Sequence, residues 1–132
     1  MNLSENFTLA EFTESATATK HKIDNTPSKA VIENLKALCA NCLQPLRNKL
    51  GKAIKVSSGY RSDALNKKVK GSKTSQHPKG EAADINVDGM TDRQLYDYIL
   101  KSGVKFDQLI LEPTWVHVSW SKNRLRMQAW VK

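Results

Sequence analysis

The chain is poor in cysteine and has no long apolar run. Cys39 and Cys42 are its only cysteines. A four-thiolate zinc site needs a second pair, and a thioredoxin-like pair belongs at a strand–helix junction, not inside a helical pattern. We therefore interpret both as reduced packing residues that are dispensable for function. Since no apolar stretch approaches the length of a membrane span, we also predict no stable membrane insertion.

Acidic residues are outnumbered, with 13 Asp and Glu against 21 Lys and Arg and a formal net charge of +8. Such a charge is typical of a solvated basic surface, or of proteins that meet nucleic acid, an anionic membrane or an anionic cell-wall polymer. The only compact basic cluster lies at residues 67–70. No known nucleic-acid-binding motif accompanies it, so we predict no nucleic-acid partner and keep that function only as a weak alternative.

A chain of 132 residues suits one domain, and we find no internal repeat. Met1 to Glu5 lack the features of a secretory signal, so we expect the protein in the cytoplasm. We expect residues 1–27 to form an N-terminal segment packed on the body. Within it, Thr8 is a candidate helix N-cap with Glu11 at the capping-box position, and residues 13–27 are polar enough to be irregular.

The periodicity of the remaining chain predicts alternating helices and strands. Apolar residues at helical spacing predict a long helix over 28–51, kinked or broken at Pro45 and ended by Gly51. Ser62 or Asp63 can cap a short helix, and Thr91 a longer one. Strands are predicted at 54–58, 82–87, 106–112, 115–120 and 127–131. This pattern indicates an α+β fold with a small antiparallel sheet flanked by helices.

Two separate stretches carry the residues best suited to bind a metal ion. His77 and Asp84 lie seven residues apart with Gly80 between them, and His117 lies in a strand-like run. Two imidazoles and one carboxylate leave one position of a tetrahedral zinc site open. This arrangement is typical of catalytic zinc, because structural zinc sites fill all four positions.

Glu112 is the candidate general base. If Pro113 and Thr114 form a two-residue hairpin, Ile110 pairs with His117, and Glu112 lies on the face of His117. A carboxylate there can accept a proton from an attacking water and return it to the leaving amine. Arg61 follows a strand and can stabilise developing negative charge. Taken singly, a solvated hairpin end and a surface ion pair are the ordinary alternatives.

The order of three motifs resembles a known family. Ser75, His77, Gly80 and Asp84 form Ser-x-His-x-x-Gly-x-x-x-Asp, and Trp-Val-His-Val-Ser follows at 115–119. Together with Ser-Gly-Tyr-Arg-Ser at 58–62, they resemble the zinc D-Ala-D-Ala carboxypeptidases, which are LAS metallopeptidases with the hedgehog/DD-peptidase fold. The opening Phe-Thr-Leu-Ala-Glu-Phe and the helix around Asn34 resemble a single-domain branch from bacteria and phages.

This resemblance implies a set of roles. His77, Asp84 and His117 would bind Zn²⁺, and Arg61 would polarise the scissile carbonyl or bind the developing oxyanion. Ser75 would support the first ligand or contact the substrate, a peptidoglycan stem peptide containing D-amino acids, and Tyr60 would also contact that substrate. We expect a monomer that stays in the cytoplasm until it is released and then acts on the cell wall as a carboxypeptidase or an endolysin-type endopeptidase.

One position departs from the family pattern. Many relatives carry an acidic residue three positions before the second histidine, where this chain has Thr114. Thr114 cannot act as a base, so the assignment passes to Glu112. The departure also keeps a second interpretation open, in which a non-catalytic zinc-containing module binds cell wall or forms part of a virion.

Overall fold

The computed structural model describes residues 1–132 as two sheets and their helices. The N-terminal segment contains β1 (Asn2–Ser4), β2 (Phe7–Thr8), α1 (Leu9–Thr13) and α2 (Ala16–Lys20). A long helical stretch follows as α3 (Lys29–Leu38), a π-helical segment (Cys39–Leu43) and α4 (Gln44–Leu50). The remaining elements are β3 (Lys55–Ser58), α5 (Asp63–Lys68), a 3₁₀ turn (His77–Lys79), β4 (Ala82–Asn86), α6 (Asp92–Ser102), β5 (Gln108–Leu111), β6 (Val116–Ser119) and β7 (Gln128–Val131).

The main sheet has the strand order β3-β4-β6-β5-β7. The predicted α+β class is confirmed, and the strands pair antiparallel except for β7, which runs parallel to β5. The predicted antiparallel arrangement therefore fails at this edge. Arg126 explains the direction, because its side chain and its backbone N–H both bind the Asp107 carboxylate. This contact brings the start of β7 beside the start of β5.

The long helix changes its hydrogen-bonding pattern before Pro45. Gln44 donates its N–H to the carbonyl of Cys39, five residues back, within a π-helical segment. Proline has no N–H to continue the α-helical ladder, so the extra residue is accommodated just before it. The predicted break is thus a π segment. Gly51 ends the helix as predicted, in a left-handed conformation with a φ of 66°.

Burial raises the pKa of both Cys39 and Cys42 to about 12, which leaves two neutral thiols in the core.

The helix caps follow the predicted residues with one correction. Thr8 accepts the N–H of Glu11, Ser62 caps α5 in preference to Asp63, and Thr91 forms a capping box with Gln94. The expectation that residues 13–27 are irregular is wrong at α2. Ser15 accepts the N–H of Ala18 there, and burial of Ala18 gives the short helix an apolar contact.

The two faces of the main sheet have different environments. One face packs against the helices in a buried cluster that includes Leu35, Leu38, Leu43, Leu46, Ala83, Ile85, Leu95, Ile99, Leu109, Leu111, Val116 and Val118. Because side chains alternate along a strand, the residues between these, such as Asp84, Ile110 and His117, face the other way. None of the helices is both long and apolar enough to cross a membrane. The candidate site therefore lies on the face opposite the core.

Candidate active site

Strand register brings two of the predicted site residues side by side. Asp84 on β4 pairs with His117 on β6, and His117 pairs on its other side with Ile110 on β5. The backbone N–H of Glu112 donates to the carbonyl of Trp115 at 3.0 Å, as a two-residue hairpin requires. The predicted register is confirmed, and the hairpin carries Glu112 to the end of β5 beside His117.

His77 joins this pair from the 3₁₀ turn that precedes β4. Its Nε2 lies 3.3 Å from Asp84 Oδ1, and His117 Nδ1 lies 3.1 Å from the same oxygen. The three side chains offer ligand atoms that all lie within 4.8 Å of one another. Asp84 and His77 are buried, with 5% and 2% of their surface exposed. The three residues could therefore hold a metal ion between them.

The backbone fixes which nitrogen of His77 is free. Its Nδ1 lies within hydrogen-bonding distance of the carbonyl of Gly59, which can only accept. Nδ1 must therefore be the donor, and Nε2 is the ring nitrogen that faces Asp84 and is available to a metal ion. A ring nitrogen that donates to a backbone carbonyl is the usual support for a metal-binding histidine. The hydrogen bond of His77 to Gly59 therefore shows that His77, Asp84 and His117 are suited to bind a metal ion.

Asp84 is held in its ionised form. Burial acts to raise the pKa of its carboxyl, but hydrogen bonds with His117 and His77 outweigh burial and bring the pKa well below its usual range. Its second oxygen, Oδ2, accepts from Arg61 Nη2 at 3.3 Å. Each oxygen thus has its own task, since Oδ1 faces the two imidazoles and Oδ2 faces the guanidinium.

Arg61 lies in the cleft with its guanidinium fixed by three contacts. Nε donates to Ser58 Oγ at 3.1 Å, Nη1 to Asn66 Oδ1 at 3.1 Å, and Nη2 to Asp84. A guanidinium has five N–H donors, so about two remain for a ligand. The side chain is 16% exposed. Arg61 is therefore a fixed cation with spare donors beside the candidate ligands.

Gly80 explains the glycine between His77 and Asp84. Its φ of 75° is left-handed, and a Cβ there would lie 2.7 Å from the carbonyl oxygen of Val31 on α3. No side chain fits without moving the helix or the turn. The close contact lets the turn lie directly on α3, where Asn34 Nδ2 also donates to the carbonyl of Lys79 at 2.9 Å.

Glu112 and Thr114 lie in different environments. Glu112 lines the cleft, its side chain is 12% exposed, and its Oε1 lies 3.5 Å from Lys132 Nζ. Thr114 is exposed at the hairpin, where its carbonyl accepts from Asn86 Nδ2 at 3.0 Å. Of the two positions, only Glu112 faces the same cleft as His77 and His117.

The chain matches a known protein family over most of its length. The family model described as Peptidase M15 matches residues 5–119. The chain belongs to the peptidase M15 family. No curated protein matches the chain. M15 peptidases are metal-dependent, so the chain is a metallopeptidase by family, and the matched residues contain the three side chains that could hold the ion.

Ser75 and Tyr60 line the cleft of this M15 peptidase. Ser75 Oγ accepts the backbone N–H of His77 at 3.2 Å, which orders the turn that carries the histidine. The backbone N–H of Tyr60 donates to the carbonyl of Phe12 at 2.7 Å. Burial raises the pKa of the Tyr60 hydroxyl, and the nearby Asp63 and Asp24 raise it further, so the phenol stays neutral.

Sequence reasoning missed three residues at the site of the M15 peptidase. Asn66 is buried, accepts from Arg61, and donates Nδ2 to the carbonyl of Ser72 at 3.0 Å. Gln76 lines the cleft, and its buried Oε1 has no hydrogen-bond partner. Lys132 also lines the cleft. The motifs specify none of these three residue types, and only the structure places them in or beside the cleft. Asn66 could have been suspected only as a polar residue inside a short helix.

Proposed function

We propose that the protein is a zinc-dependent peptidase that cleaves peptidoglycan stem peptides containing D-amino acids. It would act as a D-Ala-D-Ala carboxypeptidase or as an endolysin-type endopeptidase. The observation that carries this proposal is the convergence of His77, Asp84 and His117 with Glu112 and Arg61 in one cleft of an M15 family member.

Zinc suits the donor set better than the other common divalent ions. Two imidazole nitrogens and one carboxylate oxygen are usual zinc ligands, whereas magnesium and calcium prefer oxygen ligands alone. A zinc ion held by His77, Asp84 and His117 would polarise the scissile carbonyl and make a water molecule nucleophilic near neutral pH. His77 and Asp84 are buried, so the protein shields these two ligands from solvent.

The side chains around the ligands divide the remaining work. Glu112 takes the proton of the attacking water and delivers it to the leaving amine, since its carboxylate lines the cleft next to β6. Arg61 offers its two spare donors to the oxygen that gains negative charge. Ser75 orders the His77 turn, and the neutral Tyr60 hydroxyl hydrogen-bonds the bound peptide.

The positive net charge of the protein favours a substrate that lies in an anionic cell wall. With a net charge of +8, the protein is attracted to anionic cell-wall polymers, which raises its local concentration near peptidoglycan. We propose that it acts as a monomer, remains in the cytoplasm until it is released, as phage lysins are, and needs no nucleic-acid or membrane partner.

A second candidate function is a non-catalytic module that binds zinc and cell wall. Thr114 favours it, because an acidic residue stands at that position in many relatives. The position of Glu112 favours catalysis, because a carboxylate lines the same cleft by another route.

Mass spectrometry of muropeptides incubated with zinc-loaded protein tests the proposal. We expect new peptide products and about one zinc per chain. Glu112→Gln should keep the zinc and lose most turnover, whereas His77→Ala should lose both. Glu5→Gln, an exposed residue away from the cleft, is the matched control for Glu112→Gln. Zinc binding with no product from any muropeptide would support the non-catalytic module instead.

A further inference from the structure

The cleft extends across the whole width of the main sheet. One row of paired residues lines it from edge to edge, consisting of Ser58, Asp84, His117, Ile110 and Trp130. Beyond β3, residues of the N-terminal segment such as Glu14 and Ser15 also line it. Asp84 and His117 lie on the second and third strands of five, so the cleft continues on both sides of them.

The far wall of the cleft, at its β7 end, is formed by residues outside the family match. The match ends at residue 119, whereas β7 spans Gln128–Val131. The backbone N–H of Lys132 donates to the carbonyl of Leu111 at 2.9 Å, which places Lys132 next to Glu112. Trp130 and Lys132 share a face, because they are two positions apart on an extended strand. Both line the cleft.

The spacing of strands sets how far this wall lies from the reacting bond. Neighbouring strands are about 4.8 Å apart, so Trp130 lies roughly 10 Å from His117 across two spacings. An extended peptide advances about 3.3 Å per residue. A substrate lying across the sheet would therefore bring its third residue, counted from the cleaved bond, to β7.

The side chains of this wall suit the binding of a carboxylate group. The Lys132 side chain is 64% exposed, and only one contact, the 3.5 Å approach to Glu112 Oε1, engages its ammonium group. An ammonium has three N–H donors, so donors remain for a ligand. Trp130 is 40% exposed and offers an apolar surface beside the charge. The opposite end of the cleft carries the carboxylates of Glu11 and Glu14, whereas at this end the Glu112 carboxylate lies next to the ammonium of Lys132.

We propose that Lys132, with Trp130 beside it, forms a subsite that binds a carboxylate of the peptide substrate about three residues from the cleaved bond. This inference rests on the proposed peptidase function and narrows its substrate to an extended peptide that spans the sheet. Lys132 then sets specificity, and the metal ligands and Glu112 carry the chemistry.

Matched peptides that differ only in one group test this subsite. One carries a free carboxylate at the third residue from the cleaved bond, and the other carries the amide. Lys132→Met should raise KM for the carboxylate peptide about five- to ten-fold and leave KM for the amide peptide unchanged. Lys132→Arg should restore most of the difference. Lys122→Met, an exposed residue outside the cleft, is the control of equal charge change.

Calorimetric binding of the same two peptides to metal-free protein separates this inference from the proposed function. Tighter binding of the carboxylate peptide, lost in Lys132→Met, supports the subsite even if no peptide is cleaved. Equal behaviour of Lys132→Met and unaltered protein in this binding assay overturns it. A fall in kcat at unchanged KM also overturns it, because Lys132 would then act only through Glu112.

Discussion

Replacement of Gly80 by alanine should damage the protein through one identifiable contact. The φ of 75° at Gly80 is left-handed, and this conformation costs about 1–2 kcal/mol for a residue with a side chain. The new Cβ would also lie 2.7 Å from the carbonyl oxygen of Val31 and 3.3 Å from Leu35 Cγ. Overpacking of this kind costs about 1–3 kcal/mol. We expect the free energy of unfolding to fall by roughly 2–5 kcal/mol in total.

Gly103 provides the matched control, because its φ is 81° and a Cβ added there would meet no atom within 4 Å. Gly103→Ala should therefore show the conformational cost alone, about 1–2 kcal/mol. Urea unfolding of the two variants measures the difference, which isolates the contact with Val31. Equal destabilisation of the two variants would refute the reasoning.

Gly80→Ala should also weaken metal binding, because Gly80 lies between His77 and Asp84 in the chain. Disturbing the residues that orient metal ligands typically lowers affinity about 10–100-fold. Competition between the protein and a chelator for zinc measures this loss, and Gly103→Ala should show none. Unchanged zinc affinity in Gly80→Ala would mean that the turn does not orient the ligands.

Arg61→Ala should keep its metal, measured by elemental analysis, and lower kcat by roughly 10²–10³. Arg61→Lys should rescue little of this loss. An unchanged kcat in Arg61→Ala would show that Arg61 takes no part in the reaction. The hydrogen bond from Arg126 lowers the pKa of Asp107 in the folded protein. The stabilisation from this contact is therefore fully present above the unfolded pKa of about 3.9, and it is lost as the pH falls through the lower pKa of the folded state. Arg126→Met should therefore lower stability at neutral pH and flatten its acid dependence in urea titrations, and parallel curves for the two proteins would contradict this. The double variant Cys39→Ala, Cys42→Ala should keep its zinc and its turnover and lose roughly 1 kcal/mol of stability per site, and loss of turnover in a folded variant would assign the thiols a function.

Much of the site could be predicted because it is encoded in local patterns. The two-residue turn at Pro113 and Thr114 determines the register of β5 and β6, so the pairing of Ile110 with His117 follows from alternation alone. The motif around His77 and Asp84 could be recognised from residue types and spacing. These features depend on neighbours in the chain, and such neighbours are visible in the sequence.

The features that could not be predicted depend on contacts between distant residues. The direction of β7 depends on the contact of Asp107 with Arg126, 19 residues later. The contact of Lys132 with Glu112 depends in turn on that direction. The helix α2 was missed because threonine and serine favour loops unless a cap and a buried side chain outweigh them, as Ser15 and Ala18 do here.

The strand β7 is bonded to the sheet only through β5, and the residues that could hold a metal ion lie on β4, β6 and the turn before β4. Substitutions along β7 can therefore be made without altering the strands that carry His117 and Asp84. If the proposed subsite is correct, metal binding and substrate selectivity are encoded in separate parts of the chain, and an altered substrate range could be sought by varying β7 alone.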